Sequence, residues 1–211
     1  MTPLLLMKGT SSLKAELRIL AGVLALLIFL PLVAVVVIAN AGVAEVAATL
    51  VSVNPTTHQV EIHDPNGKLV SQIEASTVWP VQGIITLEFG MPDLPFQLYH
   101  TGIDIANKSG KIGDPITPFM AGTVVSAGPV IQGCGLCVLV DHGNNITSIY
   151  MHMSAVQAVA GQVVKPGDVI GLEGATGWAT GPHVHFEVRV NGVPVNPRAF
   201  MVGDPAPGPS E

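Results

Sequence analysis

Four histidines and one aspartate, spread over three short segments, are the residues of this chain best suited to chemistry. In His100-Thr-Gly-Ile-Asp104 an extended backbone puts residues 100, 102 and 104 on one face. The middle one is Gly, so an imidazole and a carboxylate project side by side with nothing bulky between them. In His183-Val-His185-Phe-Glu187-Val-Arg189-Val190 one face carries His, His, Glu and Arg while the other carries Val, Phe, Val and Val. The apolar face already supplies a core, which leaves both imidazoles for a polar task. Tyr150-Met-His152 puts a tyrosine and one more imidazole together on another strand.

These donors suit zinc, whose catalytic sites commonly take three His or carboxylate ligands and keep a fourth position for water. Five candidates exceed what three ligand positions need. Two imidazoles are then left beside the water, where they can take up a proton and steady the oxyanion formed when that water attacks a carbonyl. Taken singly the pieces are weak, and a structural zinc or a metal-free polar face is the bland alternative. His58 and His63 have no second ligand at a convincing spacing and read as exposed bystanders.

The elements that must hold these residues are short. From Trp79 to Met201 the chain consists of β-rich runs such as Cys137-Val-Leu-Val-Asp141 and Ile146-Thr-Ser-Ile-Tyr-Met-His152, punctuated by Gly and Pro with no sustained helical period. The expected fold is all-β, an antiparallel sheet domain, over residues 79–202. Residues 40–78 read as a connector in which Asp64-Pro-Asn-Gly67 marks the turn of a small hairpin. Residues 203–211, with three Pro among Gly, Ala and Ser, read as a disordered tail.

Hydropathy sets the N-terminal third apart. Between Arg18 and Glu45 there is no charge, and the 21 residues 19–39 are almost wholly aliphatic. As a helix they measure about 31 Å, close to the hydrocarbon thickness of a bilayer. One transmembrane helix is expected, a signal anchor after a cytoplasmic segment 1–18. Lys8, Lys14 and Arg18 against Glu16 precede it, and the acidic remainder of a chain of net charge −6 follows it, which puts the β domain outside the cytoplasm. The lipid bilayer is therefore one expected partner. The small-x-small Ala39-Asn-Ala41 offers the alternative of a cleaved signal and secretion. A multi-span transporter, a two-domain enzyme, a disordered chain and a nucleic-acid binder are excluded by length, by recurrent Val and Ile runs, and by the acidic outer domain.

The segments above, with Glu88-Phe-Gly90, Asp141-His-Gly-Asn144, Gly161-Gln-Val-Val-Lys-Pro-Gly-Asp-Val-Ile-Gly171, Gly174-Ala-Thr-Gly177 and Gly181-Pro-His-Val-His-Phe-Glu187, resemble the LytM or lysostaphin-type zinc metallopeptidases, which cleave peptide bonds in bacterial cell walls. The resemblance runs from about Trp79 to Phe200. It implies that His100, Asp104 and His185 hold zinc and that His152 and His183 are the catalytic pair. It also implies a sheet with a central substrate groove, walled by 90–99 and 174–182, and a peptidoglycan peptide as substrate. His142 is no ligand in that pattern and has a structural or groove-lining role. Glu187 and Arg189 are expected to pair or to support the site, and Tyr150 to line the groove or orient His152.

Cys134 and Cys137 are three residues apart, about 10 Å along a straight strand, so a disulfide between them demands a turn at Gly135-Leu136. Outside the cytoplasm such a bridge is permitted, and two thiols are the other reading. Two further functions compete with the peptidase. One is a non-catalytic peptidoglycan-binding regulator or adaptor of an envelope assembly. The other is a biotinyl or lipoyl carrier, disfavoured because the turn Glu173-Gly-Ala-Thr-Gly177 lacks the Lys such a carrier modifies.

Overall fold

The structure is a computed structural model that describes residues 4–76, 78–93, 99–129 and 132–206, with the side chains of residues 4–13, 28 and 31–40 outside the description. The chain divides into two units, 1–42 and 43–211.

The first unit is helical, part of α1 (Leu4–Leu50). The helix runs past the boundary expected at residue 39. Ala41, Ala44, Ala47 and Ala48 are strong helix formers, and Ala47 and Leu50 are buried in the core of the second unit. The transmembrane helix expected over 19–39 is not shown: among the described residues no helix is long and apolar enough to cross a membrane. Residues 28 and 31–40 of that range, Pro31 included, lie outside the described side chains.

The second unit is mostly antiparallel β. Its first sheet holds β1 (Val51–Val53), β2 (Gln59–His63) and β3 (Leu69–Glu74) in that order. The expected hairpin is β2 and β3, turned at Asp64, whose side chain accepts from the N–H groups of Asn66 and Lys68. The sheet gains β1 because the helix delivers the chain directly into it.

The main sheet has eight strands. Its path is β11 (Val163–Val164), β7 (Gly122–Gly128), β8 (Leu136–Asp141), β9 (Ile146–Met153), β13 (Val184–Val190), β5 (Ile103–Ala106) and β4 (Ile84–Leu87), with β14 (Val193–Val195) also paired to β13. A small third sheet orders β10 (Ala155–Val156), β12 (Gly171–Leu172) and β6 (Pro115–Ile116). A 3-10 turn, Pro197–Phe200, follows β14, capped by the Asn196 side chain.

Strand β13 organises the core. Val184, Phe186, Val188 and Val190 are fully buried on one face, against Tyr150, Phe119 and Phe200. Phe186 stacks on Tyr150 at 5.4 Å and packs against Phe119 at 5.5 Å. Each such ring contributes about 1.5–3 kcal/mol of transfer free energy. The opposite face of the same strand turns His185, Glu187 and Arg189 toward the groove.

Residues 203–206, expected to be disordered, are tied to the body. The Gly83 N–H donates to the Ala206 carbonyl, and Asp204 pairs with Arg198. Residues 207–211 lie outside the described residues.

Candidate metal centre

Register sets the first contact of the site. Across the antiparallel pair of β13 and β5, His185 lies directly opposite Asp104, so their side chains rise from neighbouring points on one face. His100 reaches the same point from outside β5. Its backbone is clamped, the His100 N–H donating to the Met91 carbonyl while its own carbonyl accepts from Gly90. The segment is a bend and not the extended chain expected. Gly102 matters for a different neighbour than anticipated: a Cβ there would stand 2.4 Å from the carbonyl oxygen of Phe186 and 2.9 Å from Nε2 of His185. Glycine thus lets β13 approach, where the sequence suggested only an open lane between two side chains.

Three ligand atoms converge. His100 Nε2 lies 2.9 Å from His185 Nδ1 and 3.0 Å from Asp104 Oδ1, and His185 Nδ1 lies 3.0 Å from that same Oδ1. The far nitrogens are already committed. His100 Nδ1 donates to the Glu88 carbonyl at 3.2 Å, and His185 Nε2 donates to the Glu187 carboxylate at 3.4 Å. With those protons placed outside, the inner atoms are three lone-pair donors within 4.8 Å of one another, a set that asks for a cation. Two nitrogens and a carboxylate oxygen fit zinc. In the absence of a cation a proton takes its place between His185 and Asp104. Burial disfavours a charged His185, yet the bonds to Asp104 and Glu187 outweigh it and raise its pKa to about 9. Burial likewise opposes the charge of Asp104, but bonds from His100 and His185 hold its carboxyl well below the usual range.

The other two imidazoles stand beside this triangle. The rings of His152 and His183 are 4.8 Å apart, and that of His152 is 6.1 Å from His185. His183 Nε2 lies 3.7 Å from Asp104 Oδ2. His152 donates from Nδ1 to the Thr176 carbonyl at 2.8 Å, and His183 donates from Nδ1 to the Gly181 carbonyl at 2.9 Å. Burial lowers the His152 pKa to about 4. All five residues singled out in the sequence therefore meet.

His152 arrives by a route that alternation does not give. It sits at φ +65°, in the left-handed region, at the end of β9. Its side chain consequently leaves the face on which Tyr150 lies. Tyr150 neither lines the groove nor orients His152: it is fully buried, its hydroxyl accepting from the Phe119 N–H and the Ser148 hydroxyl, and burial raises its pKa. His142 is structural, one ring nitrogen bonded to the Ala121 carbonyl and the other to Ser148. Cys134 and Cys137 are not bridged, their thiols donating to the carbonyls of Gly135 and Gly128 respectively.

Of the expected walls, residues 94–98 lie outside the described residues, while Asp93, Trp178 and Thr180 border the cleft over the triangle. Trp178 and Asp93 lie within those expected walls but were not singled out there, since both sit in turn-like stretches that carry no periodic signal. The wall that bears Trp178 is packed backbone against backbone. A Cβ on Gly177 would stand 2.3 Å from the Gly133 carbonyl oxygen, and one on Gly135 2.3 Å from Thr176 Oγ1.

Comparison with known proteins agrees with this geometry. Residues 98–197 match Peptidase family M23. The chain is 36% identical over 146 residues to the DD-carboxypeptidase/endopeptidase Mpg of Neisseria meningitidis, covering 67% of this chain and 33% of that protein. It is 31% identical over 157 residues to the murein hydrolase activator NlpD of Salmonella typhimurium, covering 74% of this chain and 40% of that protein. The chain thus spans well under half the length of these relatives. Among solved structures, the catalytic domain of the prophage-encoded M23 protein EnpA from Enterococcus faecalis superposes with a TM-score of 0.51 at 33% identity, over 58% of this chain and 95% of that one. A triangle of zinc-type ligands on a β13 and β5 pair, flanked by two imidazoles and set in this sequence, places the chain in peptidase family M23.

Proposed function

We propose that the chain is a zinc endopeptidase hydrolysing peptide bonds in the cross-bridges or stem peptides of bacterial peptidoglycan. The observation that carries this reading is the convergence of three inward lone pairs, from His100, Asp104 and His185, beside two imidazoles that are not needed as ligands. Zinc held there supplies Lewis acidity toward a carbonyl and lowers the pKa of water. The remaining work falls to the chain. His152, neutral at ambient pH and with its Nδ1 proton committed to Thr176, offers Nε2 as the acceptor for the proton of the attacking water. The proton His152 has taken up is then the one delivered to the leaving amine, while His183, its Nδ1 tied to Gly181, faces the same space with Nε2 beside Asp104. The fixed second bonds of all four imidazoles hold the tautomers this division of labour needs.

We further propose that residues 19–39 anchor the chain in the cytoplasmic membrane with the peptidase outside. Support comes from the apolar residues Ile19, Leu20, Val23, Leu24, Leu26, Leu27, Phe29 and Leu30, all exposed on a helix that has no polar stripe among them, preceded by Lys14 and Arg18.

The test is to incubate the full chain, purified in detergent and loaded with zinc, with cross-linked peptidoglycan and to identify new amino termini by mass spectrometry. New termini at one peptide linkage support the reading. Tight binding to peptidoglycan without any new terminus overturns it in favour of a regulator, the class to which the name of NlpD assigns that relative.

A further inference from the structure

Two arginines of similar exposure show what one of them lacks. The side chain of Arg198 is 35% exposed and that of Arg189 is 36% exposed. Arg198 is fully engaged: Nε and Nη2 donate to the Glu88 carboxylate at 3.3 and 2.7 Å, and Nη1 donates to Asp204. It is a structural clamp between the Glu88 segment, which holds His100, and the end of the chain. Arg189 is engaged at one atom. Its Nε donates to Oε1 of the buried Glu187, and among the described residues neither Nη has an acceptor. The Glu187 carboxylate is shared among three donors, its Oε1 taking Arg189 Nε and its Oε2 the Thr101 hydroxyl at 2.6 Å and His185 Nε2 at 3.4 Å.

Position makes that open end functional. Residues 185, 187 and 189 share one face of β13, and Arg189, His185, His152 and Trp178 border a single cleft. Four residues of strand separate the Cα atoms of 185 and 189 by about 13 Å, and the arginine is held back toward the ligand by its Nε bond to residue 187. A guanidinium fixed at Nε, its terminal nitrogens without an acceptor among the described residues and the residue lining a cleft, matches the fork geometry of a carboxylate. Balancing Glu187 alone would not need the ends left open, as Arg198 shows. Asp93, which borders the same cleft, repels an anion on its own side and so favours the Arg189 side for a carboxylate.

Resting on the reading of this site as a peptidase, we infer that Arg189 is a substrate-binding residue that takes a free carboxylate of the peptide within about two residues of the scissile bond. That carboxylate has two possible sources, the C-terminus of a stem peptide or an acidic side chain within it.

The experiment uses the zinc-loaded full chain and three synthetic stem peptides: one with both carboxylates free, one amidated at the C-terminus, one amidated at the side chain. Affinity is measured by calorimetry and turnover by chromatography. One of the two amidations is expected to weaken binding and kcat/KM by about tenfold to a hundredfold, chiefly through KM, and identifies the source. In Arg189→Gln the ratio of free to amidated peptide falls to about one, and Arg189→Lys, which keeps the charge beside Glu187 without the fork, gives an intermediate ratio. Equal affinities for all three peptides in the unaltered chain, or an undiminished ratio in Arg189→Gln with its zinc retained, overturns the inference. Carboxylate-dependent binding with no cleavage of any peptide upholds Arg189 and overturns the peptidase reading instead.

Discussion

Asp104 and Glu173 are both acids in the interior, and their surroundings push them in opposite directions. Around Asp104 stand three imidazoles, His100 and His185 at Oδ1 and His183 near Oδ2, a setting that suits a shared cation and keeps the carboxylate charged. Around Glu173 the chain supplies one N–H, from Asn107 to Oε1 at 3.3 Å. Its Oε2 is buried without a partner among the described residues, and burial together with the charge of Asp114 lifts its pKa to about 7. The difference teaches that burial alone does not decide the state of a carboxylate. The groups packed around it do.

The sharpest way to break the comparison is to remove a donor from the first region. His185→Ala is expected to lose bound zinc and the proposed peptidase activity together, read by metal analysis and turnover, because it leaves the metal site with two of its three ligands. Next come His152→Ala and His183→Ala, expected to keep stoichiometric zinc while kcat falls about 10²- to 10⁴-fold; equal metal loss in both would overturn the division into ligands and catalytic pair. Smaller again is Glu187→Gln, which removes the charge behind His185 and is expected to weaken zinc affinity about 10- to 100-fold in a chelator competition.

The smallest effect is expected in the second region and concerns stability. Burial raises the pKa of Glu173 from 4.5 to about 7, so across that window the folded chain holds a proton the unfolded chain has lost, and stability falls as pH rises through it. Glu173→Gln, which mimics the protonated acid, should flatten that slope and stabilise the fold at pH 8 by an amount on the order of 1–3 kcal/mol, measured by denaturant unfolding at pH 5 and pH 8. A slope unchanged by the substitution would mean that Oε2 is satisfied in solution.

The sequence made the first region legible and hid the second for related physical reasons. The alternation of residues 183–190 is a direct readout of a strand with one apolar and one polar face, and the fully buried Val184, Phe186, Val188 and Val190 realise it. Residue types and spacing left five candidates for three ligand positions, and it was the resemblance that singled out His100, Asp104 and His185. Glu173 sits in a Gly-rich turn that reads as exposed, and nothing local announces that β12 tucks it inside. Tyr150 failed for the opposite reason: the pattern of two was applied across His152, where one left-handed residue reverses it. The helix end was misplaced by about ten residues because the hydropathy that marks a bilayer span ends near residue 39, whereas the alanines beyond it continue the helix for other reasons.

The backbone at residue 152 carries one more consequence. A side chain at φ +65° costs on the order of 1 kcal/mol that glycine does not incur. The imidazole is therefore held at that spot against the local preference of the backbone for glycine, its bond to the Thr176 carbonyl and its packing against His183 helping to hold it. A drift of this residue to glycine would remove the imidazole whose ring faces both His183 and His185.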